Sequence, residues 1–148
     1  MLNEILIKIY NRDLEKLKDE INSYHHEKNL WIINRDITNS AGNLCLHIVG
    51  NLNAFIGTVL GNTNYKRQRD LEFSLKDVPR STLIQQIDAT IVVVETTLRR
   101  LSQEDLIKEY PNDVFKEPMT TEYFLVHLNT HLAYHLGQIN YHRRILDN

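Results

Sequence analysis

Three histidines, His127, His131 and His135, stand four residues apart in the segment HLNTHLAYHLGQ. Imidazole in such a row does one of two kinds of chemistry: it ligates a transition metal through a ring nitrogen, or it moves protons near neutral pH. In an α-helix each four-residue step turns the side chain by about 40° and climbs about 6 Å. The outer two are then about 12 Å apart along the axis, while metal–nitrogen bonds are about 2.0–2.1 Å. All three cannot reach one ion, but a neighbouring i, i+4 pair can.

The apolar stripe of the same helix selects the pair. Phe124, Leu125, Leu128, Leu132, Leu136, Ile139 and Leu146 cluster around one direction. His135 falls inside this stripe, His131 lies beside it, and His127 sits at the rim. Two histidines seldom make a tight site, so a third ligand is expected from another helix. His47 is the only histidine in the second apolar helix, on a small and polar strip with Asn43, Gly50, Asn51, Ala54, Gly57 and Thr58. Gly50 and Gly57 there, and Gly137 on the last helix, would let neighbouring helices approach closely. A lone inward histidine is more often a hydrogen-bonded core residue than a ligand; the pair together with His47 favours a metal site at His47, His131 and His135. The other histidines, His25, His26 and His142, are read as surface residues, and Tyr134 and Tyr141 as packing or rim groups.

The elements that must carry these residues are helical. Leu2, Ile5, Leu6, Ile9, Leu14, Leu17 and Ile21 recur at helical spacing over about Leu2–Tyr24. A second helix is expected over about Ala41–Leu60, capped by Asn39 or Ser40 and stopped at Gly61-Asn62. The third spans about Ser81–Leu101 and buries Leu83, Ile87, Ile91, Val94 and Leu98. SQED at Ser102 resembles a capping box opening a short helix. The last runs from a cap at Thr120 or Thr121 to about Leu146. Four long amphipathic helices and no period-two segment predict an all-α fold, a four-helix bundle, in one domain spanning residues 1–148. The polar stretch Asn62–Arg80 is expected to be a solvated crossover, and such long connections leave the up-and-down order open.

Composition narrows the function. Of 148 residues, 42% are hydrophobic and 24% charged, the balance of an ordinary globular protein. A formal net charge of −2 removes the electrostatic case for a nucleic-acid partner. The most apolar run, NLCLHIVGNLNAFIGTVLG, is interrupted by Asn, His and Gly, so no membrane span is expected. The N-terminus is acidic and amphipathic without the pattern of a signal peptide. A single cysteine, Cys45, makes the reducing cytoplasm the expected compartment.

The final helix, HLNTHLAYHLGQINYHRR, resembles the signature helix of the DinB-like (DinB/YfiT-like) metalloprotein superfamily, in which histidines at four-residue spacing precede Gly-Gln. LCLHIVGNL resembles that family's second-helix histidine segment. The resemblance implies a four-helix bundle that holds a divalent metal, commonly zinc or nickel, through three residues, here His47, His131 and His135. It also implies a homodimer. Some relatives are S-transferases or isomerases using a low-molecular-weight thiol, and many have no established reaction.

Three histidines would leave positions on the ion for a small-molecule substrate, with the pKa of a bound thiol or water lowered. His127, or a rim tyrosine, would then transfer protons. Lys66, Arg67 and Arg69 of the long crossover could contact an acidic thiol. The expected function is therefore a metal-dependent enzyme, thiol S-transferase-like or hydrolase-like; the alternative is a metal-stabilised helical bundle with a binding or stress-related role and no turnover.

Overall fold

A computed structural model describes residues 1–112 and 114–148. Among these residues the chain forms six α-helices and no strand. Helix α1 is Leu2–Ser23. Helix α2 begins as Ala41–Leu52, widens into a π-helical stretch at Asn53–Thr58 and closes with Val59–Gly61. Two short helices, α3 (Arg69–Ser74) and α5 (Gln103–Ile107), flank the long α4 (Arg80–Arg100). The last, α6, is Thr121–Leu146.

The ends follow from local chemistry. Ser40 and Thr120 accept from backbone N–H groups three residues on, and Ser102 and Asp105 form a reciprocal capping box. Asn62 stops α2 in the left-handed region at φ 53°. The π-helical stretch was not legible in the sequence. Within it the Phe55 carbonyl accepts from the Tyr110 hydroxyl at 2.7 Å, a tertiary bond that occupies a helix acceptor.

Pairings between elements set the directions of the four long helices. Asn11–Glu95 and Lys18–Asp88 make α1 and α4 antiparallel. Tyr10 donates to the Leu125 carbonyl and Tyr24 meets His142, so α1 and α6 run parallel. His47 meets His131 while Phe55 meets Phe124, so α2 and α6 are antiparallel. Asn53 donates to Thr90, and a side chain at Gly57 or Gly61 would meet Val93 or Thr97, so α2 and α4 run parallel. Helices α1 and α2 each pack against both α4 and α6. Leu14, Leu17, Ile48, Leu52, Leu83 and Leu128 are among the residues that fill the core between them.

This arrangement explains the long connection after α2. Because α2 and α4 are parallel, the chain must return the length of a 21-residue helix, about 30 Å, before α4 can start. The return is not only a solvated crossover: it contains α3, which packs on α2 and buries Glu72.

Ala41–Gly61 is, by length and composition, long and apolar enough to cross a membrane, and 61% of its most apolar window is buried inside the fold. Two other expectations are corrected. Gly137 is open, with nothing near the place of a side chain, so it admits no neighbouring helix. His142 is buried rather than on the surface.

His142 Nε2–H donates to the Ile32 carbonyl (2.9 Å), which leaves Nδ1 to accept from the Tyr24 hydroxyl (2.6 Å). Burial lowers its pKa below the ordinary histidine value, against the Ile32 bond and Asp147, which raise it. The unfolded chain therefore binds a proton at His142 that the folded chain refuses, and this contribution is present above about pH 6.5 and lost as pH falls below it. Urea unfolding of the metal-free protein should show a steeper loss of stability between pH 7.5 and 5.5 in the wild type than in His142→Gln. Parallel pH profiles would refute it.

Candidate metal centre

The return segment and two helices converge on His47. His47 on α2, 7% exposed, faces α6, and the next two contacts it makes there are the ring of His131 (5.0 Å between centroids) and that of His135 (5.2 Å). His131 Nε2 lies 3.2 Å from His47 Nε2 and 3.1 Å from His135 Nε2. One donor atom from each of the three residues lies within 4.8 Å of the others.

The tautomers follow from the second nitrogens. His47 Nδ1–H donates to Glu72 Oε1 at 3.0 Å, and His135 Nδ1–H donates to Gln138 Oε1 at 2.7 Å. Both Nε2 atoms are then bare lone pairs, and both face His131 Nε2. A hydrogen on His131 Nε2 serves one of them and leaves the other unmatched. A cation at the centre satisfies all three. Metal–nitrogen bonds of about 2.05 Å place cis nitrogens about 2.9 Å apart at right angles and about 3.4 Å apart at tetrahedral angles. The observed 3.1 and 3.2 Å separations from His131 Nε2 fall between these limits, and all three donor atoms lie within 4.8 Å of one another, so the cluster could hold a divalent ion.

Electrostatics favour neutral rings. Burial pushes His131 down to about 4, helped by the neighbouring His135, His47 and His127. Burial also lowers His47, opposed by its bond to Glu72. Neutral imidazole is the form that ligates.

Glu72 is the residue that sequence reasoning missed. It is 5% exposed and sits between His47 and Arg67, whose Nε and Nη2 donate to it at 2.9 and 3.0 Å. Arg67 Nη2 is 3.4 Å from His47 Nδ1, but both carry hydrogens, so the carboxylate is the acceptor they share. Gly50 is required by this contact: a Cβ there would lie 1.9 Å from Glu72 Oε2. The Gly50 expectation thus holds: the neighbour that comes close is the short helix α3, through the side chain of Glu72. Arg67 is committed to Glu72 and lies 5.7 Å over the Phe55 ring, while Arg69 stacks on Phe73 at 5.3 Å.

Glu72→Gln keeps the size but makes the His47 tautomer ambiguous. It should weaken metal affinity about 10- to 100-fold, as loss of such carboxylate partners does elsewhere. Gly50→Ala should displace the flexible end of Glu72 and reproduce the defect without touching any ligand. Equilibrium dialysis against a competing chelator measures both, and wild-type affinity in the two variants would exclude the role of Glu72.

His127 is outside the converging set. Its ring stacks on Phe124 (6.0 Å, 13°) and meets Phe115 edge-on (4.9 Å). It also lines a cleft of about 520 Å³ with Phe115, Pro118 and Met119.

Fold and cluster together define an all-helical protein with a three-histidine site that could hold a metal ion. Residues 4–148 match the family model described as "Protein of unknown function (DUF1572)", and the chain belongs to that family. A crystal structure titled as the conserved protein of locus from Enterococcus faecalis is similar in fold, with a TM-score of 0.78 and 13% sequence identity over 97% of this chain and 95% of that one. No protein with a curated description matches.

Proposed function

We propose that this is a divalent-metal protein of the DinB/YfiT-like type, a four-helix-bundle domain in which His47, His131 and His135 hold zinc or nickel. The observation that carries the reading is the convergence of three imidazole nitrogens whose outer two are held as bare donors by Glu72 and Gln138. When bound, the ion supplies Lewis acidity to a small-molecule ligand at its open positions.

The chain's own residues do the rest. Glu72, neutralised by Arg67, holds the His47 ring, and Gln138 holds the His135 ring. His127, one turn from His131 and lining the neighbouring aromatic cleft, is the residue we assign to take or give a proton to that ligand. The reaction class that fits is metal-dependent group transfer to or from a small molecule, with a low-molecular-weight thiol as cosubstrate. A metal-stabilised bundle without turnover is the alternative.

The deciding experiment has two stages. Untagged protein, as purified and after reconstitution with zinc or nickel, should contain one ion per chain by elemental analysis. Substoichiometric metal after reconstitution would remove both readings. The loaded protein is then screened with low-molecular-weight thiols and electrophiles. Turnover supports the transferase, and its absence across the screen favours the non-catalytic bundle.

A further inference from the structure

Asn51 follows His47 by one helical turn on α2 and is 7% exposed. Its Oδ1 is buried and has no hydrogen-bond partner among the described residues. Buried polar atoms of this kind are few in folded proteins, and each asks for a reason. Asn43, two turns earlier on α2, makes the contrast: its Oδ1 accepts from the Ser40 hydroxyl and from Lys76.

The position of Asn51 can be bracketed. His47, four residues before it, touches His131 and His135 on α6; Phe55, four residues after it, meets Phe124 at 5.3 Å. The step from His47 to Asn51 lies within the regular α-helix and turns by about 40° while rising about 6 Å, and Phe55 lies beyond it in the π-helical stretch, so Asn51 stands between His47 and Phe55 in height, one turn from His47. That height corresponds to the turn of α6 between His131 and Phe124, the turn that carries His127.

We infer that Asn51 is a ligand-binding residue of the metal centre, whose carboxamide oxygen accepts an N–H or O–H from a small molecule bound at the ion's open positions. This rests on the metal reading proposed above. The ligand class it defines is a molecule with a metal-binding heteroatom and a hydrogen-bond donor close to that atom. An apolar residue at position 51 would pack without an unmatched oxygen; the retained asparagine is explained by a partner that arrives with the ligand.

Cobalt(II)-loaded full-length protein gives a visible ligand-field spectrum that reports what binds to the ion. Titration with acetohydroxamate, which carries an N–H beside its metal-binding oxygens, is compared with titration by thiocyanate, which has no donor. Asn51→Leu should weaken acetohydroxamate binding about tenfold, the size of one hydrogen bond, and leave thiocyanate binding within about twofold. Its melting temperature should not fall, because no protein partner is lost. Asn51→Ala serves if the leucine does not fold, and the same split between the two probes is expected. Equal affinities for both probes in wild type and variant, with the cobalt spectrum intact, would overturn the role of Asn51 alone. Loss of cobalt itself in the variant would overturn it too, by making Asn51 a support of the ligands. Absence of a cobalt spectrum in the wild type would overturn the metal reading, and the role of Asn51 with it.

Discussion

His47→Ala is expected to abolish tight binding of a divalent ion, although His47 is more than eighty residues from His131 and His135 in sequence. His131 and His135 on α6 remain, but two imidazoles on one helix form an incomplete set, and sites of this kind need at least three protein donors. The missing ring also removes the link to Glu72 and Arg67, which orient that donor in the wild type. In the intact protein the metal–nitrogen distances should be about 2.0–2.2 Å by X-ray absorption. Isothermal titration with zinc should give no tight phase for the variant. A chelator should lower the melting temperature of the loaded wild type and leave that of His47→Ala unchanged, because an ion that binds only the folded state stabilises it by mass action. Wild-type affinity in His47→Ala would remove the model of ligands drawn from two helices.

His127→Ala is expected to separate the metal from the chemistry. The ring stands one turn, about 6 Å, from His131 and packs on Phe124 and Phe115 rather than joining the converging nitrogens. The variant should keep its metal content. If the small-molecule screen finds turnover, kcat should fall by about 10²-fold or more, the usual contribution of a positioned general acid or base. A side chain that only packs would give a lower melting temperature and an unchanged specific activity. Loss of metal in His127→Ala with retention in His135→Ala would mean that the upper pair ligates, contrary to the observed 3.1 Å approach of His135 to His131.

Much of the scaffold was legible because helices write their burial into the sequence at a period of 3.6. Leu6, Leu14, Leu17 and Ile21 are buried as their spacing requires, and Ser40, Ser102 and Thr120 cap the helices they precede. The same period placed His131 and His135 on one edge of α6 and put His47 on the site-facing strip of α2. Local rules failed where a neighbour was involved. Ile5 matches the apolar period of α1 and is nevertheless 53% exposed. His142 was read as a surface residue, and Tyr24 and the Ile32 carbonyl, both more than a hundred residues away, take it into the interior.

The sequence by itself determined the four long helices, their caps and the pairing of His131 with His135 on one edge of α6, since each depends on contacts within a few turns of one helix. Only the tertiary structure decided that His47 meets that pair and how its ring is held. The parallel run of α2 and α4 forces the chain back along α2, and that return carries Arg67 and Glu72 onto His47 and requires a glycine at position 50. No periodicity ties Glu72 to His47, because they stand twenty-five positions apart, on two different helices. Their contact is a consequence of the path of the chain, which a one-dimensional pattern does not record.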